Sequence, residues 1–305
     1  MSVSLPTVTV MVSGLSRIVD GDPRHAIVVA RMAEDAGVAE YVVGDHVVMG
    51  ERLDRYPYGS FGYGRDDLIA PNESWPEALT LLTAIAACTQ RIRLVTGVLL
   101  VPLRPAALLA KTVATLDALS GGRVTLGVGT GWQREEYAAL DVDWRARWAV
   151  LDATVRACRS LWAGETSVAP DRSRFAGVHC VPRPVQARMP VVLGARLDAV
   201  RASWIAEVGD GWMPLGLSDD ELAEGIDQLR KAWSAAGRDG TPQVRAHVPT
   251  PRNADGSIDV GATRELAARA AARGVTHSWF ILSPASGLAS LADVERDLLS
   301  LGRCG

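Results

Sequence analysis

The chain has 305 residues, 48% of them hydrophobic, and a formal net charge of −3. That length and apolar content supply one large core, and the interspersed acids and bases leave no basic stripe of the kind a nucleic-acid partner requires. No apolar run is long enough to span a bilayer, and the N-terminus lacks the basic-then-apolar pattern of a secretory leader, so a cytoplasmic protein with no membrane association is expected. The four cysteines, Cys88, Cys158, Cys180 and Cys304, include no Cys-x-x-Cys pair. They read as reduced thiols, with Cys88 and Cys158 buried within helices.

Short β-branched runs alternate with longer helical patterns throughout. Residues 8–12 read as a strand. A helix over 24–36 opens at Asp22-Pro23 and stops at Gly37. A strand at 40–43 precedes a long polar loop, 47–74. A helix over 75–87, a strand over 92–100 and a helix over 106–119 follow. A strand at 124–128 leads through a glycine-rich turn to an amphipathic helix over 144–162. The stretch 164–189 is irregular, with room for a small hairpin. Four further pairs follow: strand 190–193 with helix 197–207, strand 211–213 with helix 219–236, strand 244–248 with helix 259–272, and strand 275–282 with helix 288–301. Eight βα units without a break in composition predict a single α/β domain over 1–305, a (β/α)8 TIM barrel. Its insertions fall after strand 2 and after the helix that follows strand 4. A doubly wound open sheet is the competing architecture.

In a barrel, loops that follow strands carry chemistry and loops that precede them carry stability. That rule sorts the glycines. Ser120-Gly121-Gly122-Arg123 precedes strand 4 and reads as a helix stop. Gly209-Asp210-Gly211 reads as a turn into strand 6. Gly127-Val128-Gly129-Thr130-Gly131 follows strand 4, where side-chain-free amides can approach an anion closely. It fits neither the dinucleotide fingerprint nor the Walker loop. Gly194 and Ala195 end strand 5, and Gly194 is expected to add an amide to the same anion or to relieve crowding at the rim. Gly97, inside strand 3, predicts a bulge or a close backbone approach. Asp45-His46 follows strand 2, where the carboxylate can orient the ring and the ring can exchange a proton near neutral pH. Glu135 and Glu136 open a helix and read as partners of its dipole. The five histidines show no metal-ligand spacing, so no metal is expected. No Gly-x-Ser-x-Gly elbow is present.

Several motifs, in order, resemble the luciferase-like monooxygenase superfamily in its coenzyme F420-dependent oxidoreductase branch. They are Val43-Gly44-Asp45-His46-Val47, Tyr56-Pro57-Tyr58, Arg91-Ile92-Arg93-Leu94 with Thr96-Gly97-Val98-Leu99, and Pro102-Leu103-Arg104 with Leu109-Ala110-Lys111. The unbroken run from Ala114 to Arg123 then leads into Gly127-Val128-Gly129-Thr130-Gly131-Trp132. Glu135-Glu136-Tyr137, Leu161-Trp162 and Gly209-Asp210-Gly211-Trp212 follow. The resemblance implies a flavin-like ring over the strand ends, with Asp45 and His46 beside it. It implies a cis peptide at Gly97-Val98 behind the ring, and a phosphate held by the amides of Gly129, Thr130 and Gly131 with Gly194 opposite. Ala195 stands where related sequences carry a second glycine, so that approach is expected to be looser. Related sequences often carry His-Pro after the arginine, whereas Pro105-Ala106 follows Arg104 here. Trp132 stands where sugar-phosphate dehydrogenases of the branch carry a proton-donating glutamate, which favours an apolar or aromatic substrate over a sugar phosphate.

The resulting expectation is hydride transfer between C5 of coenzyme F420 and a small organic molecule. His46 would move the proton, Asp45 would orient His46, and Trp132 with the loop 47–74 would exclude water. The C-terminal quarter is expected to shape the substrate pocket. An FMN-dependent monooxygenase, a non-catalytic F420- or flavin-binding paralogue and a barrel hydrolase are the alternatives. Dimers are common in the family, which makes a homodimer one expected assembly.

Overall fold

The computed structural model describes residues 5–53, 71–166 and 175–305. Eight parallel strands close on themselves. They are β1 (Thr7–Val12), β2 (Glu40–Val43), β3 (Arg93–Thr96), β4 (Val124–Gly129), β5 (Val191–Leu193), β6 (Gly211–Trp212), β7 (Gln243–His247) and β8 (His277–Leu282). Each pairs with its neighbour in sequence, and β8 pairs with β1. Each strand is followed by a principal outer helix. In order these are α1 (Arg24–Asp35), α2 (Ala78–Cys88), α3 (Ala106–Ser120), α4 (Arg147–Ala163), α5 (Ala199–Glu207), α6 (Asp219–Ala235), α7 (Val260–Arg273) and α8 (Leu291–Gly302). The closed barrel rather than the open sheet is therefore the architecture. Strands such as β2 are buried on both faces, because the lumen and the helix ring both exclude water.

The lumen is filled in layers. At the N-terminal end, Glu40 forms a buried ion pair with Arg245, and Thr9 donates to Glu40 Oε2 at 2.7 Å. Arg93 and His277 approach Glu40 Oε1 at 3.7 and 3.8 Å. Burying such charges is costly unless each is paired, and this set pairs them. Above it lies an apolar layer of Val42, Val95, Val192, Met213 and Trp279, with Met11, Val98, Leu215 and Ile281 packed against it.

The third strand is broken where the sequence reads as one continuous strand. Val95 is level with Thr125, but Leu99 is level with Val128. Four steps along one chain thus match three along the other, which is a one-residue bulge between Thr96 and the short extension Leu99–Leu100. The Gly97–Val98 peptide within it is cis.

The turns before the strands are structural, as the loop rule predicts. Gly121 takes φ 68° and stops α3. Arg123 donates to the carbonyls of Ala86, Thr89 and Ile92 at 2.8–3.0 Å, closing the end of α2. Asp117 accepts from the Val185 and Gln186 amides at 2.8 and 3.1 Å, anchoring the chain that leads into β5. Asp210 gathers Arg159, Arg188 and Arg238 and accepts from the Val191 amide. Helix boundaries shift modestly. The second helix begins at Ala78 rather than 75, and the helix expected from 144 opens with a single 3-10 turn over Trp144–Ala146. Cys158 is buried as expected, but Cys88 is exposed, because it is the last residue of α2 and faces outward. Tyr56, Pro57 and Tyr58, and part of the stretch expected to hold a hairpin, lie outside the described residues.

Candidate active site at the C-terminal mouth of the barrel

Beyond β2, the chain places Asp45 and His46 in different environments. Asp45 is buried, and its carboxylate meets the Arg104 guanidinium at 2.7 and 2.8 Å while accepting from the Leu100 amide at 2.8 Å. Arg104 also reaches Glu77 at 2.8 Å. The Asp45 carboxylate is therefore committed to Arg104 and the strand extension, and it does not orient His46 as expected. That role falls to Glu136. Its Oε2 lies 3.1 Å from His46 Nδ1, and its Oε1 accepts from the Val47 amide at 2.9 Å. Glu136 has no exposed surface, so it is not the solvated dipole partner that its place at a helix start suggested.

His46 sits between two indoles. Trp75 meets it edge-on with ring centres 4.9 Å apart, and Trp132 does so at 5.4 Å. The three rings belong to the segments after β2, before α2 and after β4.

The short helix Arg134–Ala139 fastens the two loops together. Gln133 accepts from the Gly50 amide at 2.7 Å, and its amide nitrogen contacts Met49 Sδ. Gly50 is needed there, since a Cβ would lie 2.8 Å from Glu135 Cγ. Tyr137, buried against Trp144, donates from its hydroxyl to the Thr130 carbonyl and so fixes the glycine turn from behind.

Each glycine around the turn answers to a neighbour in the protein. A Cβ on Gly127 would lie 2.0 Å from the Thr96 carbonyl oxygen, and one on Gly97 would lie 2.3 Å from Val42 Cγ1. Cβ atoms on Gly129 and Gly194 would both fall 2.5 Å from the methyls of Val98. Gly131 has φ 67° and faces Leu100. The bulge thus drives Val98 between the ends of β4 and β5, and glycine is what admits it. Thr130 and Gly131 lie past Gly129, the last residue of the β4 ladder. The Gly194 amide is different, because it donates to the Val128 carbonyl at 2.8 Å. Its expected part as a phosphate donor is therefore replaced by a packing role. The Ala195 carbonyl accepts from Trp212 Nε1 at 2.8 Å.

A cleft opens at Trp75, the indole that meets His46 edge-on. Its lining includes Met11 and Val42 from the lumen, Gly44 and Trp75 next to His46, and Glu73 at the rim. Glu73 is held by Arg17 at 3.5 Å and by the Ser16 hydroxyl at 3.4 Å. Among the described residues, the buried indole nitrogens of Trp75 and of Trp279, in the apolar layer, have no hydrogen-bond partner. The lining of this cleft comes from residues between 11 and 81. Among the described residues, no group of three or more His, Cys, Asp or Glu is placed to hold a metal ion. No helix among them is long and apolar enough to cross a membrane.

The family model described as luciferase-like monooxygenase matches residues 3–278. The chain belongs to that family. It is 34% identical over 278 residues to the Mycobacterium tuberculosis H37Rv protein Rv0953c, covering 90% of this chain and 93% of that one. Among solved structures it resembles monooxygenase RslO1 from Streptomyces bottropensis, with a TM-score of 0.71, 23% identity and coverage of 96% and 94%. It also resembles an F420-dependent secondary alcohol dehydrogenase in complex with an F420-acetone adduct, with a TM-score of 0.69, 16% identity and coverage of 97% and 98%. The two structural likenesses concern the fold. The luciferase-like barrel agrees with the motifs read from the sequence.

Proposed function

We propose that the chain is a coenzyme F420-dependent oxidoreductase acting on a small, apolar or aromatic organic substrate. The observation that carries this reading is the meeting of His46, past the end of β2, with Trp132, the residue that follows the glycine turn past the end of β4. The residues present suit a flavin-like ring bearing a phosphate. The buried indole nitrogens of Trp75 and Trp279, which have no partner among the described residues, offer donors to ring acceptors. The amides of Gly129, Thr130 and Gly131 would hold the phosphate. Such a ring, when bound, supplies the hydride chemistry at C5.

His46 holds or moves the accompanying proton at Nε2, the nitrogen turned away from Glu136. Trp75 and Trp132 shield that nitrogen from bulk water. Met11, Val42 and Trp75 supply the apolar part of a cleft that Ser13, Ser16 and Glu73 also line. Titration of the purified protein with F420 and with FMN, followed by ring fluorescence, tests the reading. Binding of F420 with a dissociation constant under about 100 μM is expected, and its absence would remove the reading.

The family itself, described as luciferase-like monooxygenase, favours a second reading, an FMN-dependent monooxygenase on the same barrel. Preferential FMN binding and substrate-dependent oxygen uptake would select it. In either case His46→Ala is expected to abolish turnover. A variant unchanged in every measurable property would point to a binding protein.

A further inference from the structure

We infer that Glu136 is a positioning residue that fixes the tautomer of His46, holding its proton on Nδ1 and leaving Nε2 bare to accept one. This rests on the proposed function only for what the bare nitrogen is used for.

Three observations carry it. Glu136 is wholly buried, and its only ion-pair partner among the described residues is His46. An ionised carboxylate has no proton to give, so at 3.1 Å from Nδ1 it can only accept, and the ring must present N–H there. The second carboxylate oxygen is occupied by the Val47 amide at 2.9 Å, which locks the carboxylate's rotation. A histidine whose far nitrogen is fixed by a carboxylate has a defined near nitrogen, and here that is Nε2. His46 Nε2 has no hydrogen-bond partner among the described residues. The dyad therefore presents Nε2 as the ring atom that takes a proton from a hydroxyl or similar group.

The substitution Glu136→Gln isolates this. The Val47 amide is a fixed donor, so the glutamine oxygen must face it. The glutamine NH2 then faces Nδ1, which has to accept, and the ring proton is forced onto Nε2. Long-range 1H–15N correlation spectra of the ligand-free protein read the tautomer directly, with His46→Ala identifying the signal among the five histidines. Under conditions where the ring is neutral, the unsubstituted protein is expected to carry its proton on Nδ1 and E136Q on Nε2. In E136Q, kcat is expected to fall by about 10²-fold or more while cofactor affinity stays within about twofold. A purely structural role for Glu136 would leave the tautomer unchanged.

A proton on Nε2 in the unsubstituted protein would overturn the inference, and so would an unchanged Nδ1 proton in E136Q. If E136Q fails to fold, the spectrum of the unsubstituted protein still decides. These spectra require no cofactor. Failure to bind F420 would therefore sink the proposed function and leave the tautomer assignment standing.

Discussion

The Asp45 carboxylate and the Arg104 guanidinium meet as a two-pronged pair, at 2.7 and 2.8 Å, directly before His46 in the chain. The Asp45 side chain has no exposed surface; burial pulls the guanidinium pKa down, but the Asp45 and Glu77 carboxylates outweigh it and hold the pKa above its ordinary value. Removing one partner of a buried pair leaves an uncompensated charge. Arg104→Ala is expected to destabilise the fold by about 3–5 kcal/mol, measured by urea unfolding. Arg104→Lys keeps the charge but not the fork and should recover only part of that loss. A loss in Arg104→Ala below about 1 kcal/mol would mean that the pair behaves like an exposed one.

Val98 sets the second prediction. Its methyls occupy the space a Cβ would take on Gly129 or Gly194, 2.5 Å away in each case. Gly129→Ala and Gly194→Ala should each cost about 1–3 kcal/mol through overpacking. Val98→Ala should relieve both, so the double variants should show coupling of about 1 kcal/mol or more in a double-mutant cycle. Strict additivity would argue against the assigned clash.

Tyr137→Phe removes the hydroxyl that holds the Thr130 carbonyl and leaves the ring packed against Trp144. Stability should fall by about 1 kcal/mol. If the turn binds the phosphate, cofactor affinity should weaken by a few fold in the fluorescence titration. An affinity equal to that of the unsubstituted protein would place the phosphate elsewhere.

His277 makes the fold sensitive to acid. Burial, aided by the positive charges of Arg245 and Arg93 and opposed by Glu40, lowers its pKa from 6.5 to about 4. The unfolded chain therefore binds more protons than the folded one between those values. The contribution of His277 is present in full above pH 6.5 and is lost as pH falls toward 4, by up to about 3 kcal/mol. His277→Gln should flatten that part of the stability profile in urea melts taken across the window. An unaltered profile would show that other groups carry the acid sensitivity.

Much of this was legible in the chain itself. Strands such as β1, β2 and β5 announce themselves as β-branched runs, and the strand-end rule separates Gly129 to Gly131 from Gly121 and Gly122. His46 is found for the same reason. Its partner is not, since Glu136 lies 90 residues away. Glu135 and Glu136 are adjacent at a helix start, and nothing local says which one turns inward. The neighbouring Tyr137, an aromatic on so short a helix, is the one local sign of a buried side. Arg104 appears in a matching motif, but its pairing with Asp45 arises only when the strand extension brings Leu100 alongside. Gly97 signals a bulge, yet the one-residue offset is a property of two strands and cannot be read from one. Cys88 misleads because a helix-wide apolar pattern does not say how its last turn faces.

The charged floor of the barrel has a consequence for traffic. With Glu40, Arg245 and His277 closing one end and Val42, Val95 and Met213 packed across the middle, the described residues of the barrel form a cup. If the proposed site is the right one, a molecule bound there would enter and leave at the C-terminal rim, where Trp75 and Trp132 flank His46.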